Sequence, residues 1–390
     1  MLQIHDPKAT ERTMPLFRLG FRPLFLFGSA FSILALSLWV LQMLGLISIQ
    51  PHGNLLWWHG HEMLFGFTAA IIVGFLLTAV QNWTGNPGLS GTPLKALVLL
   101  WLLPRVMLIN NSWVPFEAVM LLDLAFLPIS AWVLAEAVIR VKQWRNLIFV
   151  PVLLLMTLAN AISYYGLLSS NPGLSHNALY GAAFIVVFLI ALLGGRVIPF
   201  FTERATKWQR RPNLPWLEAA NFIAIGALVI TVITQFNTAL PWAAGISSLL
   251  LLVRFCRWGG QHSLGTPLLW SLHLSYLCIP LGLMLIASGL PVSAGFHLAA
   301  VGGMGGMILA MMARVSLGHT GRTLTPPKPM TVCFGLILLG AALRATASLV
   351  PSFYLTGIWM AGIAWVLAFG GFCYFYGKLL CQPRLDGRPG

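Results

Sequence analysis

The stretch WWHGHEMLFGF, residues 57–67, runs without a break into TAAIIVGFLLTAV, residues 68–80. The second half is apolar enough to lie in lipid, yet the first half carries His59, His61 and Glu62 within four residues. Ionisable groups at membrane depth are costly, so they mark a cavity, a proton path or a cofactor site. The rest of the chain decides between these. With 58% hydrophobic and only 8% charged residues among 390, it has no use for a water-facing surface, which identifies a polytopic membrane protein.

About 20 apolar residues cross the hydrocarbon. Runs of that kind fall near 23–46, 55–81, 93–110, 115–140, 146–168, 176–199, 215–235, 239–257, 266–290, 293–316, 330–350 and 353–378. The expected fold is an all-α bundle of about twelve transmembrane helices filling residues 1–390 as one integral-membrane domain. The polar N-terminus, MLQIHDPKATERTMPLFRLGFRP, does not read as a signal peptide.

The net charge of +14 invites a nucleic-acid reading, but its distribution argues against one. If the N-terminus is cytoplasmic, the alternation of twelve spans puts every Lys and Arg on the cytoplasmic side except Arg105 and Arg344. That is the positive-inside pattern, and it predicts cytoplasmic termini. The basic charge is therefore a topology signal, and the partner it implies is a lipid bilayer. The five cysteines are scattered, with no C-x-x-C-H and no zinc-like pairing.

The same topology sorts the histidines by depth. The second, sixth and tenth spans enter from the outside, which puts His59, His61, His176 and His297 at one level just below the outer surface. These spans are four apart in order, and each has Gly five residues after a His: HEMLFGF from His61, HNALYGA from His176, HLAAVGG from His297. His61 also reaches Thr84-Gly85 at the spacing by which His297 reaches Thr320-Gly321. Three quasi-repeats of four helices are expected, at about 20–142, 144–258 and 262–380. The glycines in GGMGGMILAMMAR (302–314) imply close helix packing and are compatible with room for a flat macrocycle.

Neutral imidazole suits iron and copper, and imidazoles across a bundle hold non-covalent b-type haem. Residues i and i+2 on a helix differ by about 200°, so His59 and His61 point to opposite faces. Glu62 and Met63 follow on the His59 face, and a His, a carboxylate and a thioether could hold copper or relay a proton. Alternatively Glu62 is simply buried and hydrogen-bonded. Arg105 and Arg344, near the outer ends of the third and eleventh spans, are candidate partners of haem propionates. For Arg105 the competing reading is an ion pair with Glu117 or Asp123.

These motifs resemble the NnrS family of haem- and copper-containing membrane proteins. The likeness runs from FRPLFLFG (21–28) through WWHGHEMLFGF (57–67), GGRVIPFFTERA (194–205) and HLAAVGGMGGMILAMMARVSLGHTGRTL (297–324). It implies a bacterial inner-membrane protein of the nitric oxide and nitrosative-stress response, often linked to denitrification. It also implies haem b and copper, with His59, His61, His297 and His176 as ligand candidates. A more distant similarity is to haem–copper oxidase subunit I, which carries ligand histidines on helices 2, 6 and 10. The paired histidines of its copper centre are missing from the seventh span here, NFIAIGALVITVITQF (221–236). The expected function is nitric oxide binding or consumption near the periplasmic face, by an oxidoreductase drawing on an electron donor. The rivals are an electron-transfer cytochrome and a twelve-helix transporter without a redox cofactor.

Overall fold

A computed structural model describes residues 13–387. His5, Lys8, Arg12 and Arg388, which belong to the charge and histidine patterns above, lie outside the described residues. Within them the chain is helical, with no strand. Twelve principal helices follow in order: α1 Phe21–Met43, α2 Leu55–Thr84, α3 Gly91–Met107, α4 Phe116–Arg140, α5 Phe149–Leu168 and α6 Pro172–Ala205. Then come α7 Pro215–Ile233, α8 Leu240–Phe255, α9 Pro267–Ala287, α10 Val292–His319, α11 Lys328–Leu349 and α12 Tyr354–Leu380.

Ten of these regions are long and apolar enough to cross a membrane. The expectation of twelve full spans is corrected at α3 and α8. The 16 residues of α8 rise only about 24 Å at 1.5 Å each, short of a ~30 Å hydrocarbon core. α3 has 17 residues, Lys95 near its start and Arg105 in its last turn. The helices expose many large apolar side chains, such as Trp242, Ile223, Leu121 and Trp132, which suits contact with lipid.

The chain divides into two compact units. One comprises the residues up to Ala182 together with Val315–Leu324 and the chain from Phe372 onward; the other comprises Ala183–Arg314 and Thr325–Gly371. In the first unit α2 packs on α1 and α4, α3 on α4, and α4 on α5. In the second, α8 packs on α7 and α9, and α10 on α9 and α11. In α2, 83% of the most apolar window is buried, against 28% in α7. A helix so enclosed by protein is where charge can sit inside a membrane away from lipid.

α2 and α10 share three local devices. Each changes to a π-helix straight after its histidine, at Glu62–Thr68 after His61 and at Leu298–Gly305 after His297. Each carries a threonine near its end that donates back one turn, Thr84 to Val80 O (2.8 Å) and Thr320 to Ser316 O (2.6 Å). Each stops at a glycine in the left-handed region, Gly85 (φ 70°) and Gly321 (φ 73°), where a Cβ would be strained. α6 is α-helical throughout, so the π device belongs to α2 and α10 alone among these three.

Candidate functional site

α2 starts where Asn54 Oδ1 accepts the backbone N–H of Trp57 (2.9 Å), a side-chain N-cap. One turn later His61 is fully buried, its ring stacked on Trp57 at 4.5 Å. Its Nδ1 lies 2.8 Å from Glu62 Oε1, and its Nε2 lies 3.1 Å from Asp123 Oδ2 and 3.0 Å from Asn160 Oδ1. Arg105 Nη1 donates to the same Glu62 Oε1 (2.6 Å), and its Nη2 pairs with Asp123 Oδ1. Asn160 Nδ2 (2.7 Å) and the Tyr164 hydroxyl (3.2 Å) also donate to Asp123 Oδ2. Helices α2, α3, α4 and α5 thus meet at one buried cluster of His61, Glu62, Arg105, Asp123, Asn160 and Tyr164.

Donor counting constrains this cluster. Asn160 spends its amide nitrogen on Asp123, so its oxygen faces His61. Nε2 then meets only acceptors and must carry a hydrogen. Nδ1 faces a carboxylate oxygen at hydrogen-bond distance, so a proton lies between them as well. With that proton the charges of Glu62, Asp123, Arg105 and His61 sum to zero, which is how a buried ionic group persists.

Glu62 thus pairs with its chain neighbour His61 and with Arg105. His59 is half-buried and stacks on Trp39 at 4.2 Å. Arg105 takes Asp123, one of its two expected acids, and adds Glu62, which was not expected. Asn160 and Tyr164 were missed. Their only signal is polarity in the apolar stretch LANAISYYGLL (158–168), one turn apart on one face.

In the second unit, His297 is half-buried. Its Nδ1 lies 2.7 Å from Ser293 O and 3.1 Å from Ser293 Oγ. Because a carbonyl only accepts, Nδ1 carries the hydrogen and Nε2 the lone pair. Arg344 Nη1 donates to Ser348 Oγ (2.7 Å) and its Nη2 lies 3.5 Å from Ser293 Oγ. Thus Arg344 and His297 share Ser293. His176 is exposed, with its ring 4.6 Å from that of Tyr180. Elsewhere His273 is buried with Nε2 2.9 Å from Thr202 Oγ1, while its Nδ1 is buried without a hydrogen-bond partner.

The fit to a metal differs between these places. An axial ligand needs one ring nitrogen bare and the other fixed by a hydrogen bond. His297 meets the tautomer requirement. Both nitrogens of His61 are on oxygen atoms, so ligation would require it to leave a carboxylate. For copper, Glu62 Oε1 is taken by His61 and Arg105, while its Oε2 is buried without a hydrogen-bond partner. Among the described residues no group of three or more His, Cys, Asp and Glu is placed to hold a metal.

The α10 glycines are explained by packing. A Cβ on Gly302 would fall 2.7 Å from Cys278 Sγ and 2.9 Å from Ala341 Cβ, and one on Gly303 would fall 2.5 Å from Ile279. Gly305 and Gly306 face Trp365 and Ser275 in the same way. Of the two readings of that stretch, close helix packing holds for these four positions.

No curated protein matches the chain. The family model described as NnrS protein matches residues 15–384, from the turn before α1 to the tail beyond α12. The match takes in both histidine helices, and the chain belongs to the NnrS family.

Proposed function

We propose that this chain is a haem-binding protein of the bacterial inner membrane that acts in the nitric oxide response, with cytoplasmic termini and His297 as an axial ligand. Family membership supports the biological setting. The observation that carries the chemistry is the donation from His297 Nδ1 to Ser293 O at 2.7 Å, which leaves Nε2 as the basic nitrogen. A carbonyl acceptor on the second nitrogen orients the ring and raises its basicity, as at other metal-bound histidines.

The remaining residues take definite roles in this reading. Arg344, tied to Ser293 and Ser348, is the candidate partner of a propionate, which a guanidinium can grip with two parallel bonds. Bound haem would supply an iron that takes nitric oxide as a ligand. The buried cluster around His61 serves in the reading as a charge-balanced core of the first unit, not as a ligand set. Copper is given no role in this reading. The shared devices of α2 and α10 support an internal repeat of those helices.

The test is an absorption spectrum of the purified protein, oxidised and dithionite-reduced, with and without nitric oxide. A Soret band that shifts on reduction and again with nitric oxide is expected. Protein that purifies without a Soret band, even when expressed with added haem precursor, sinks the reading. One observation favours a second reading if that happens. The buried His61–Glu62–Arg105–Asp123 cluster is of the type that lines ion pathways, so a transporter without a redox cofactor would then lead.

A further inference from the structure

A separate concentration of charge lies in the second unit, where the loop between α6 and α7 meets α8. A shallow, solvent-open cleft is lined there by Arg210, Arg211, Arg254, Arg257, Glu218 and Trp258, among others. Arg254 is only 2% exposed. Its Nε donates to Glu218 Oε1 (2.9 Å), its Nη2 pairs with Glu218 Oε2, and its Nη1 donates to Ala191 O (2.6 Å). The guanidinium lies over the rings of Phe222 (5.6 Å) and Trp258 (5.4 Å). A Cβ on Gly195 would collide with it, so α6 keeps glycine there to seat the arginine.

Glu218 is the one carboxylate lining this cleft, and it is committed to Arg254. The other arginines rest on neutral oxygens. Arg257 Nη2 donates to Pro212 O (2.8 Å) and Arg210 Nη2 to Asn213 Oδ1 (3.2 Å). Glu203, outside the lining, accepts the backbone N–H of Arg210 (3.2 Å). Arg211 is exposed. Topology accounts for basic residues in a cytoplasmic loop. It does not account for a cleft, nor for a buried arginine with a glycine seat at its floor.

We propose that this cleft binds a phosphate-bearing anion, gripped by Arg257, Arg210 and Arg211 above the fixed Arg254. Guanidinium suits phosphate because its fork can offer two parallel bonds. Trp216, in the first turn of α7, is 62% exposed, and exposed tryptophan settles at headgroup level. The phosphate of an anionic phospholipid is thus the source within reach of the mouth, and free phosphate is the other.

The test uses the full-length protein in nanodiscs. Binding of a labelled phosphatidylglycerol is measured for wild type, for Arg211→Gln/Arg257→Gln, and for the control Arg140→Gln/Lys142→Gln. Because it loses two charge-assisted contacts to the phosphate, the cleft variant should bind about 30-fold more weakly, whereas the control, which loses only diffuse surface charge, should change less than about threefold. Competition with inorganic phosphate distinguishes the sources. Displacement at millimolar concentration assigns the free anion, and cleft-dependent lipid binding without displacement assigns the headgroup. Equal losses in the cleft variant and the control, or no loss in either, overturn the proposal and leave the arginines as diffuse topological charge.

Discussion

His61 in α2 and His297 in α10 each precede a π segment, and each has glycine five residues on, at Gly66 and Gly302. Their surroundings are opposite. His61 is sealed among two carboxylates, a guanidinium, an amide and a phenol, while His297 is half-buried beside Ser293, within one hydroxyl of Arg344. The shared backbone device therefore sets where a histidine stands, and the neighbouring helices decide its chemistry. Where the ring is held at both nitrogens it completes a charge balance. At His297 a backbone carbonyl accepts from Nδ1, which fixes the tautomer and puts the lone pair on Nε2.

The largest expected effect breaks the first side of this contrast. Removing one member of a buried ionic group strands the others and costs about 3–5 kcal/mol. Arg105→Ala should therefore lower the thermal midpoint steeply or abolish recovery of folded protein from membranes. Apolar replacement of the whole group, Arg105→Met with Glu62→Leu, His61→Leu and Asp123→Leu, should recover much of that loss, because no charge is then left unpaired. An Arg105→Ala protein that melts like wild type would mean that the four charged groups are not joined.

A smaller effect should be common to both helices. A Cβ on Gly66 would lie 2.6 Å from Phe31, and one on Gly302 would lie 2.7 Å from Cys278 Sγ. Overpacking of this kind costs about 1–3 kcal/mol. Gly66→Ala and Gly302→Ala should thus destabilise by similar amounts in a thermal melt. A loss confined to one of them would show that the likeness of the two π segments is superficial.

The smallest effect on stability is expected at Arg344, which donates to the hydroxyl of Ser348 and lies near that of Ser293. Arg344→Ala should cost about 1 kcal/mol, the scale of an ordinary side-chain hydrogen bond. It should nevertheless weaken haem retention or shift the midpoint potential while the ligand-field bands stay unchanged. Full occupancy with an unaltered potential would return Arg344 to a packing role.

Much of this architecture was legible in the residues. Hydropathy located twelve helices, and the Thr84-Gly85 and Thr320-Gly321 matches pointed to helix ends that close alike. Asp123 was among the acids weighed for Arg105. What the residues concealed follows from one physical limit: periodicity describes a helix by itself. The helical wheel grouped Glu62 with His59, and its pairing with His61 and with Arg105 of α3 shows only in the folded chain. Asn160 and Tyr164 read as ordinary polar residues until α5 is seen against α4. Full spans were expected at α3 and α8 because hydropathy tolerates a helix that stops a turn or two early. The glycine run of α10 read as close packing that could also leave cofactor space, and the neighbours Cys278, Ile279 and Ala341 show the packing.

The central claim, that haem is held from α10 and not from the α2 cluster, is tested most directly by the Soret band of two purified variants beside wild type. His297→Ala should lose the band or bind haem only with added imidazole. His61→Asn, an uncharged replacement that keeps some hydrogen bonding in the cluster, should keep it with its ligand field unchanged. A His61→Asn protein that is folded but haem-free, together with a His297→Ala protein that retains its spectrum, would contradict the account and put the ligand in α2.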